Sequence, residues 1–214
     1  MKISWLGHAS FLIETSQGTK LVTDPYESGA YSGAVGYAPI GIVPDVVTVS
    51  HYHADHGYVK DVAIATVVDK VGTRTIKDIE VEGIRSYHDK QEGKARGENT
   101  IFIIKADNVS IVHFGDLGTL DIEYEKIQSP DVALIPVGGT FTLDSKEATK
   151  LMEKIKPRIV IPMHFKTPKL GFNIEGVEPF LKGKVLIGKG MDFIEVREDT
   201  LPLSTKVAVL RFLR

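Results

Sequence analysis

The stretch VTVSHYHADHGYV, residues 47–59, constrains the fold of this chain more than any other segment. It begins as a β-branched run typical of a buried strand. Three histidines and an aspartate then fall within six positions, namely His51, His53, Asp55 and His56. Alternate side chains of an extended segment point to the same side, so His51 and His53 can bind one cation. The last two residues follow where the chain must turn, so the pattern predicts a strand-end loop that binds two metal ions about 3.5–4 Å apart.

Three further candidate ligands each close a hydrophobic strand. His88 ends VEGIRSYH, Asp116 ends VSIVHFGD and His164 ends RIVIPMH. We expect their side chains to converge on the metal-binding loop at one edge of a sheet. The chain contains no cysteine, which excludes disulfides and thiolate ligands. The remaining histidine and carboxylate donors suit Zn, Mn or Fe.

Strand signals outnumber helix signals along the chain. ASFLIET and TKLVTD predict one β-hairpin, and NTIFIIKADNVSIVHFGD predicts a second that turns at Asp107–Asn108. The clearest helix follows in LDSKEATKLMEKIKP, with Asp144 or Ser145 as its cap and Glu147 placed for a capping box. Because no repeat, low-complexity tract or linker interrupts the pattern, residues 1–214 are predicted to form a single sheet-rich α/β (α+β) domain.

The motif HYHADH resembles the H-x-H-x-D-H motif of the metallo-β-lactamase superfamily, and the later order of His, Gly-Asp and His is similar too. The segments WLGHASFLIE, TDPY, GENTIFII, HFGDLG and PMHF resemble the branch that contains the ascorbate-phosphate lactonase. This resemblance implies a four-layer αββα sandwich with the metals at one edge between the sheets. It also implies a ligand set: His51, His53 and His88 for the first metal, Asp55, His56 and His164 for the second, and Asp116 as the bridge.

Three further residues are candidates for supporting roles. Asp24, in TDP, matches the family aspartate that props the metal-binding loop, although a simple turn residue before Pro25 is an equal alternative. His8 lies where relatives of this branch also carry a histidine, and His113 lies on the strand that leads to the bridging aspartate. Each of these histidines could line the pocket or support a ligand, and the alternative for each is a hydrogen-bonded structural role.

The expected chemistry follows from the charges. Two divalent ions bring more positive charge than two carboxylates return, which lowers the pKa of bound water to about 7 and stabilises an oxyanion. We therefore expect a hydrolase whose metal-bridging hydroxide, oriented by Asp55, attacks a small anionic ester, lactone or phosphoester. Zn is the first choice of metal. Mn and Fe are alternatives, and the lactonase relatives are manganese enzymes.

Loops that follow the strand-end ligands carry cations toward the expected metal edge. Lys94 and Arg96 come after His88, and Lys166 comes after His164. These side chains could bind a phosphate or carboxylate of the substrate, or they could be solvated surface charges. The glycine- and tyrosine-rich loop at residues 26–37 could form a mobile wall of the pocket or be an inert surface connection.

Composition weighs against other classes of protein. The chain has 26 Lys and Arg, 28 Asp and Glu and a net charge of −2, which does not favour a nucleic-acid partner. A nuclease or phosphodiesterase acting on nucleic acid is therefore only the alternative function. An iron-bearing oxygen-reducing relative would resemble H-x-E-x-D-H, whereas this chain has His53. A metal-binding module without enzymatic activity is a further alternative.

Location and assembly are predicted only in outline. The segment MKISWLGHASFLIE has Glu14 within its apolar run and no small-residue cleavage site, so we expect a cytoplasmic protein. No stretch reaches the length of a membrane span, so no membrane partner is expected. Homo-oligomerisation stays open.

Overall fold

The computed structural model describes residues 1–62, 65–127 and 129–214. The strands are β1 (Lys2–Gly7), β2 (Ser10–Glu14), β3 (Lys20–Thr23), β4 (Val46–Thr48), β5 (Thr66–Val68), β6 (Gly72–Ile76), β7 (Ile79–Tyr87), β8 (Glu98–Ala106), β9 (Val109–His113), β10 (Val132–Pro136), β11 (Ile159–Met163), β12 (Leu186–Met191), β13 (Ile194–Glu195) and β14 (Lys206–Leu210). Within the described residues they form a six-stranded sheet, β13-β1-β2-β3-β4-β5, and an eight-stranded sheet, β12-β14-β11-β10-β9-β8-β7-β6.

The helices are few and mostly short. They are α1 (Ala30–Gly33), α2 (Ser145–Ile155) and α3 (Glu178–Leu181), with 3₁₀ turns at Lys60–Val62, Tyr124–Lys126 and Glu198–Thr200. α1 is a helical turn in which Tyr31 and Ser32 have left-handed backbone. No helix in the described part of the chain is long and apolar enough to cross a lipid bilayer.

Both predicted hairpins are confirmed. β2 pairs antiparallel with β3, with Leu12 opposite Val22, and β8 pairs antiparallel with β9. The second hairpin turns at Asp107 (φ 51°) and Asn108 (φ 56°), a pair of left-handed residues that suits the twist of the strands. Sequence patterns did not predict β1, β6 or β14. In β6 most side chains are exposed, so the strand lacks the alternation that reveals a half-buried strand.

The main core lies between the two sheets. One continuous apolar cluster includes Ile3, Trp5 and Phe11 from the six-stranded sheet. From the eight-stranded sheet the same cluster includes Phe102 and Ile104. Two facing sheets with few helices confirm the predicted mixed α/β sandwich.

A loop covers the outer face of the six-stranded sheet. Tyr26, Tyr37 and Ile40 are buried there in a second cluster with Leu6 and Val22, whose side chains point away from the main core. On the eight-stranded sheet, α2 contacts β10 and α3. The four layers therefore contain a loop with short helical turns on one side and helices on the other.

Strand direction brings the ends of many strands to one edge. β3, β4 and β5 are parallel to one another, and β1 runs in the same direction because two antiparallel pairings separate it from β3. β9, β10 and β11 are likewise parallel, and β7 shares their direction through β8. The residues that follow these strands can therefore meet at the carboxyl edge of the sandwich.

α2 begins with the predicted capping box. The Asp144 carboxylate accepts the backbone N–H groups of Lys146 and Glu147, both at 2.8 Å. The Glu147 carboxylate accepts the N–H of Asp144 at 3.2 Å. The cap is therefore Asp144 rather than Ser145, because only the former precedes the helix with an extended backbone and an accepting side chain.

Replacing this cap gives a direct test of the local structure. We expect Asp144→Ala to lower the free energy of unfolding by about 1 kcal/mol, since two helix N–H groups lose their acceptor. Lys150→Ala, at an exposed position of the same helix, should change it by less than about 0.5 kcal/mol. Urea titration followed by circular dichroism measures both, and equal effects of the two substitutions would contradict the capping role.

Candidate metal centre

The predicted ligands all follow strands that end at the carboxyl edge. Asp24 follows β3, and the histidine-rich loop follows β4. His88 follows β7, Asp116 follows β9 and His164 follows β11. The structure brings these side chains together with His8, which lies in the turn between β1 and β2.

The Asp116 carboxylate lies at the centre of the cluster. Its Oδ1 is 3.1 Å from His56 Nε2, and its Oδ2 is 3.2 Å from His88 Nε2. The same Oδ2 is 3.4 Å from His164 Nε2 and 3.9 Å from His51 Nε2. One carboxylate thus contacts imidazoles from both predicted ligand groups, which is the placement expected of a bridging ligand.

The remaining donors separate into two main groups on either side of this carboxylate. His51, His53 and His88 offer ring nitrogens that all lie within 4.8 Å of one another. Asp55, His56, His164 and His8 form a second group with the same spacing. The first group matches the three histidines implied for one metal, and the second contains the three residues implied for the other plus His8.

Unpartnered buried atoms show that this donor set fits metal ions. His56 Nε2 and Asp116 Oδ1 are both buried and face each other at 3.1 Å, yet neither atom forms a hydrogen bond among the described residues. In the first group, His51 Nε2 lies 2.9 Å from His53 Nδ1, so two ring nitrogens point at the same space. Buried lone pairs are costly unless a proton or a cation satisfies them. A cluster of imidazoles and carboxylates without thiolate is a suitable donor set for Zn, Mn or Fe.

Asp24 fixes the orientation of two of these histidines. Its carboxylate accepts the backbone N–H of Ser50 at 2.8 Å and the Ser50 hydroxyl at 2.5 Å. It also accepts Nδ1–H of His56 at 2.9 Å, which leaves Nε2 of that ring free to face Asp116. The Ser50 oxygen lies 3.0 Å from His51 Nδ1 and can accept its proton, which frees the other nitrogen of that ring. Through these hydrogen bonds Asp24 supports the histidine-rich loop and orients its rings.

His8 and Tyr31 hold Asp55 from two sides. His8 Nε2 lies 3.0 Å from Asp55 Oδ2, and the Tyr31 hydroxyl donates to Oδ1 at 3.2 Å. Burial and the neighbouring His164 lower the pKa of His8 to about 4, so the ring is neutral near pH 7. Sequence analysis placed His8 in this region but did not single out Tyr31. A tyrosine in a glycine-rich loop carries no signal of its own.

Two buried residues on the eight-stranded sheet position Asp116. His113 Nε2 bonds the carbonyl of Ala9 at 2.8 Å, and its Nδ1 accepts the N–H of Gly115 at 3.2 Å. Asn99 Oδ1 accepts the backbone N–H of Asp116 at 2.9 Å. His113 therefore supports the turn before Asp116 through hydrogen bonds and is fully buried. Sequence analysis quoted the segment GENTIFII, which contains Asn99, but gave this residue no role, because its contact with Asp116 depends on how the strands pair.

The local backbone is unusual at the site. His8 (φ 53°), Asp24 (φ 37°) and His164 (φ 49°) adopt left-handed conformations, which cost on the order of 1 kcal/mol or more each. Gly118 and Gly138 lie directly against two ligands. A Cβ at these positions would lie 2.3 Å from the carbonyl oxygen of His88 and 2.2 Å from that of His164, respectively.

The charges of the cluster are strongly coupled. Burial lowers the pKa of His56, but Asp116 and Asp55 more than offset this, so the pKa lies well above its usual value. Burial raises the pKa of Asp116, yet His164 and His56 hold it well below the usual range. Burial and His56 together lower the pKa of His51 to about 3. A cation that binds here would compete with protons for the same nitrogen and oxygen atoms.

A pocket with a volume of about 270 Å³ opens onto the cluster. Its lining residues are Tyr31, His53, Asp55, His88, Arg96, Asp116, Phe141, His164 and Phe172. Of the three predicted substrate-binding cations, Arg96 lies in this wall. Lys94 lies on the same loop, but it is exposed and is not among the described residues that line the pocket. Lys166 is also outside it, because its Nζ donates to the carbonyl of Phe172 at 2.7 Å.

Comparison with known proteins assigns this chain to a family. A model of the beta-lactamase superfamily domain matches residues 2–164. The chain belongs to the metallo-β-lactamase superfamily, as predicted. Within it, a UPF0173 metal-dependent hydrolase from Thermococcus kodakarensis is 33% identical over 195 residues, which cover 78% of this chain and 85% of the relative. A Pyrococcus furiosus member of the same group is 32% identical over 227 aligned positions, covering 92% of this chain and 100% of the relative.

A solved structure agrees with the fold. A Thermotoga maritima protein of the metallo-β-lactamase superfamily, described as a proposed Zn-dependent hydrolase, superposes with a TM-score of 0.77 at 31% identity. The match covers 98% of this chain and 97% of that protein. The narrower likeness to the ascorbate-phosphate lactonase stays a prediction.

The role of Asp24 can be tested by a substitution that preserves its shape. We expect Asp24→Asn to weaken metal binding by about 10- to 100-fold, because the amide cannot accept from both Ser50 and His56 as the carboxylate does. Asp45→Asn is the matched control, since Asp45 accepts the N–H of Lys20 at the opposite end of β3 and β4. Competition with a chromophoric chelator measures the affinity, and an unchanged Kd in Asp24→Asn would contradict the assignment.

Proposed function

We propose that this chain is a dinuclear metal-dependent hydrolase of a small anionic ester, lactone or phosphoester. The observation that carries the proposal is the position of Asp116, whose carboxylate lies within 3.9 Å of an imidazole nitrogen from each of two ligand groups. A carboxylate shared in this way can join two ions at the short spacing that hydrolytic pairs use, about 3.5–4 Å.

The chain's residues define which groups would hold each ion. His51, His53 and His88 would hold the first, and Asp55, His56 and His164 would hold the second. Zn is the first choice for this thiolate-free donor set, with Mn or Fe as alternatives. When bound, such ions supply a hydroxide at neutral pH and stabilise negative charge that develops on the substrate.

Asp55 is the residue we assign to orienting the nucleophilic water. It lines the pocket, and its carboxylate is held by His8 and Tyr31. Burial raises the pKa of Asp55, but His56 and His8 more than offset this, so the carboxylate is ionised near pH 7. An ionised, rigidly held carboxylate accepts a hydrogen bond from water and fixes the direction of attack.

The size of the pocket supports a small substrate. A volume of about 270 Å³ suits a metabolite-sized molecule better than a polynucleotide. The chain also carries a net charge of −2, which gives no general attraction for nucleic acid. The exposed guanidinium of Arg96 in the pocket wall supports an anionic group on the substrate.

Metal content tests the dinuclear assignment. We expect about two equivalents of metal per chain in the wild type. His88→Ala should lose about one equivalent, because it removes one of three nitrogens from a single group. Asp116→Ala should lower the occupancy of both positions. Asp69→Asn, which alters an acceptor of the Tyr52 hydroxyl outside the cluster, should keep both ions. Mass spectrometry of dialysed protein gives the count, and a wild-type value of one would contradict two sites.

Turnover tests the reaction class. We expect metal-loaded protein to hydrolyse members of a panel of lactones, carboxylic esters and phosphodiesters, with Asp55→Asn lowering kcat by about 10²- to 10⁴-fold. Metal analysis of the variant separates a loss of orientation from a loss of the ion. A flat response of the fully loaded wild type to all three classes would contradict the proposed hydrolase.

A further inference from the structure

Part of the pocket wall is aromatic. The rings of Tyr31 and Phe141 each pack edge-to-face on Phe172, at centroid distances of 5.6 Å and 5.8 Å. We refer to Tyr31, Phe141 and Phe172 as the aromatic wall. The guanidinium of Arg96 lies over the Phe141 ring, 5.5 Å from its centroid. The pocket therefore combines metal-binding groups, an apolar surface and one cation.

None of these four side chains belongs to the groups of candidate ligands, although the Tyr31 hydroxyl also donates to Asp55. Tyr31 belongs to the loop after β3, and Arg96 belongs to the loop between β7 and β8. Phe141 follows β10, and Phe172 follows β11. Four separate loops thus contribute to one surface beside the cluster, and half of the Tyr31 side chain is exposed to solvent (50%). Large apolar groups held at the mouth of a site are typical of ligand recognition.

Hydrogen bonds to one carboxylate organise the loop that carries Arg96. The Asp89 carboxylate accepts the backbone N–H groups of four residues at 2.7–3.1 Å, namely Gln91, Gly93, Ala95 and Arg96. Burial raises the pKa of Asp89, but these backbone bonds more than offset it, so the acceptor is ionised near pH 7. The backbone of Arg96 is therefore held in place before any ligand arrives.

The guanidinium of Arg96 is available to a ligand. Within the described residues, no carboxylate forms an ion pair with it, whereas Arg85 lies 3.8 Å from Glu98. Its Cζ lies over the Phe141 ring, and this contact uses none of its N–H donors. A guanidinium edge binds a planar carboxylate through two parallel hydrogen bonds. The single positive charge of the guanidinium balances the single negative charge of a carboxylate.

We propose that this pocket selects esters or lactones of small aromatic compounds that also carry a carboxylate. The carboxylate pairs with Arg96, the ring packs on the aromatic wall, and the scissile carbonyl faces His53 and Asp116. Water adds to that carbonyl and its C–O bond breaks, which yields an acid and an alcohol with no other reactant. This inference rests on the proposed hydrolytic function and narrows its substrate.

A binding experiment tests the recognition apart from turnover. Phenylacetate and its neutral counterpart phenylacetamide are titrated calorimetrically into metal-loaded protein. We expect phenylacetate to bind about 10- to 100-fold more tightly, as for a hydrogen bond to a charged group. Arg96→Met should remove this preference. Arg74→Met is the matched control, because Arg74 is exposed on β6 and does not line the pocket, and it should retain the preference.

Two outcomes of this titration would overturn the inference. If Arg96→Met keeps the preference for phenylacetate, the metal ions hold the carboxylate and Arg96 does not. If benzylphosphonate binds more tightly than phenylacetate and depends on Arg96, the site selects phosphate-like groups instead. Phe172→Ala should weaken the binding of phenylacetate about tenfold more than the binding of acetate, in line with the loss of an aromatic contact. If the substitution weakens the binding of phenylacetate and acetate equally, the aromatic wall does not recognise the ring of the ligand.

Hydrolysis of a matched pair separates this inference from the proposed function. Aryl acetates with a para-carboxylate or a para-carboxamide are compared by kcat/KM, and the carboxylate should be preferred by about 10- to 100-fold, mainly through KM. Hydrolysis of both without preference would overturn the inference and leave the hydrolase in place. Arg96-dependent binding without hydrolysis of either would support the recognition site and contradict the hydrolase.

Discussion

The structure depends on one buried carboxylate. Asp116 is 2% exposed, and nitrogens of four imidazoles surround its oxygens. An ionised carboxylate removed from water is strongly unfavourable unless other charges or hydrogen bonds compensate it. Here the ring nitrogens do so only in part, since Oδ1 faces His56 Nε2 at 3.1 Å without forming a hydrogen bond among the described residues. Cations placed between this carboxylate and the imidazoles would satisfy both, and the surrounding architecture serves that arrangement.

The scaffold around the cluster shows how much structure such an arrangement needs. Left-handed backbone at His8, Asp24 and His164 turns the chain sharply at three strand ends. Gly118 and Gly138 let neighbouring loops approach the carbonyls of two ligand histidines more closely than any side chain would permit. Strain and close approach of this kind persist only where the two packed sheets hold the loops firmly. The sandwich core therefore stabilises conformations that the loops would not adopt alone.

The proposed metal ligands and the proposed substrate contacts lie mostly in different parts of the loops, with Tyr31 in contact with both. The proposed ligands lie close to the ends of strands, where the sheets hold them. The aromatic wall and Arg96 lie farther along the loops, where changes in sequence disturb the core least. This division explains how proteins of one superfamily can share a hydrolytic centre and differ in substrate. Family membership therefore supports the reaction class, and our proposal for the substrate rests on the loops of this chain.

The sequence by itself determined the features that depend on local spacing. The H-x-H-x-D-H motif, the two hairpins and a capping box at the start of α2 are each encoded within a few residues, so pattern and propensity are enough to predict them. The choice between Asp144 and Ser145 as the cap came from the structure. The strand-end ligands His88, Asp116 and His164 could be proposed for the same reason, since each closes a recognisable apolar run. The class of fold followed from the number of strands and from the resemblance of these motifs.

Only the tertiary structure decided which distant residues meet. Asn99 bonds the N–H of Asp116 across the β8–β9 pairing, and Tyr31 reaches Asp55 from a loop without periodicity. Arg96 lies in the pocket and Lys166 does not, although both follow a ligand strand, because the path of each loop depends on what it packs against. Sequence patterns report on the covalent neighbourhood of a residue. The contacts that orient ligands and select a substrate arise from packing between segments far apart in the chain, and that packing is a property of the whole fold.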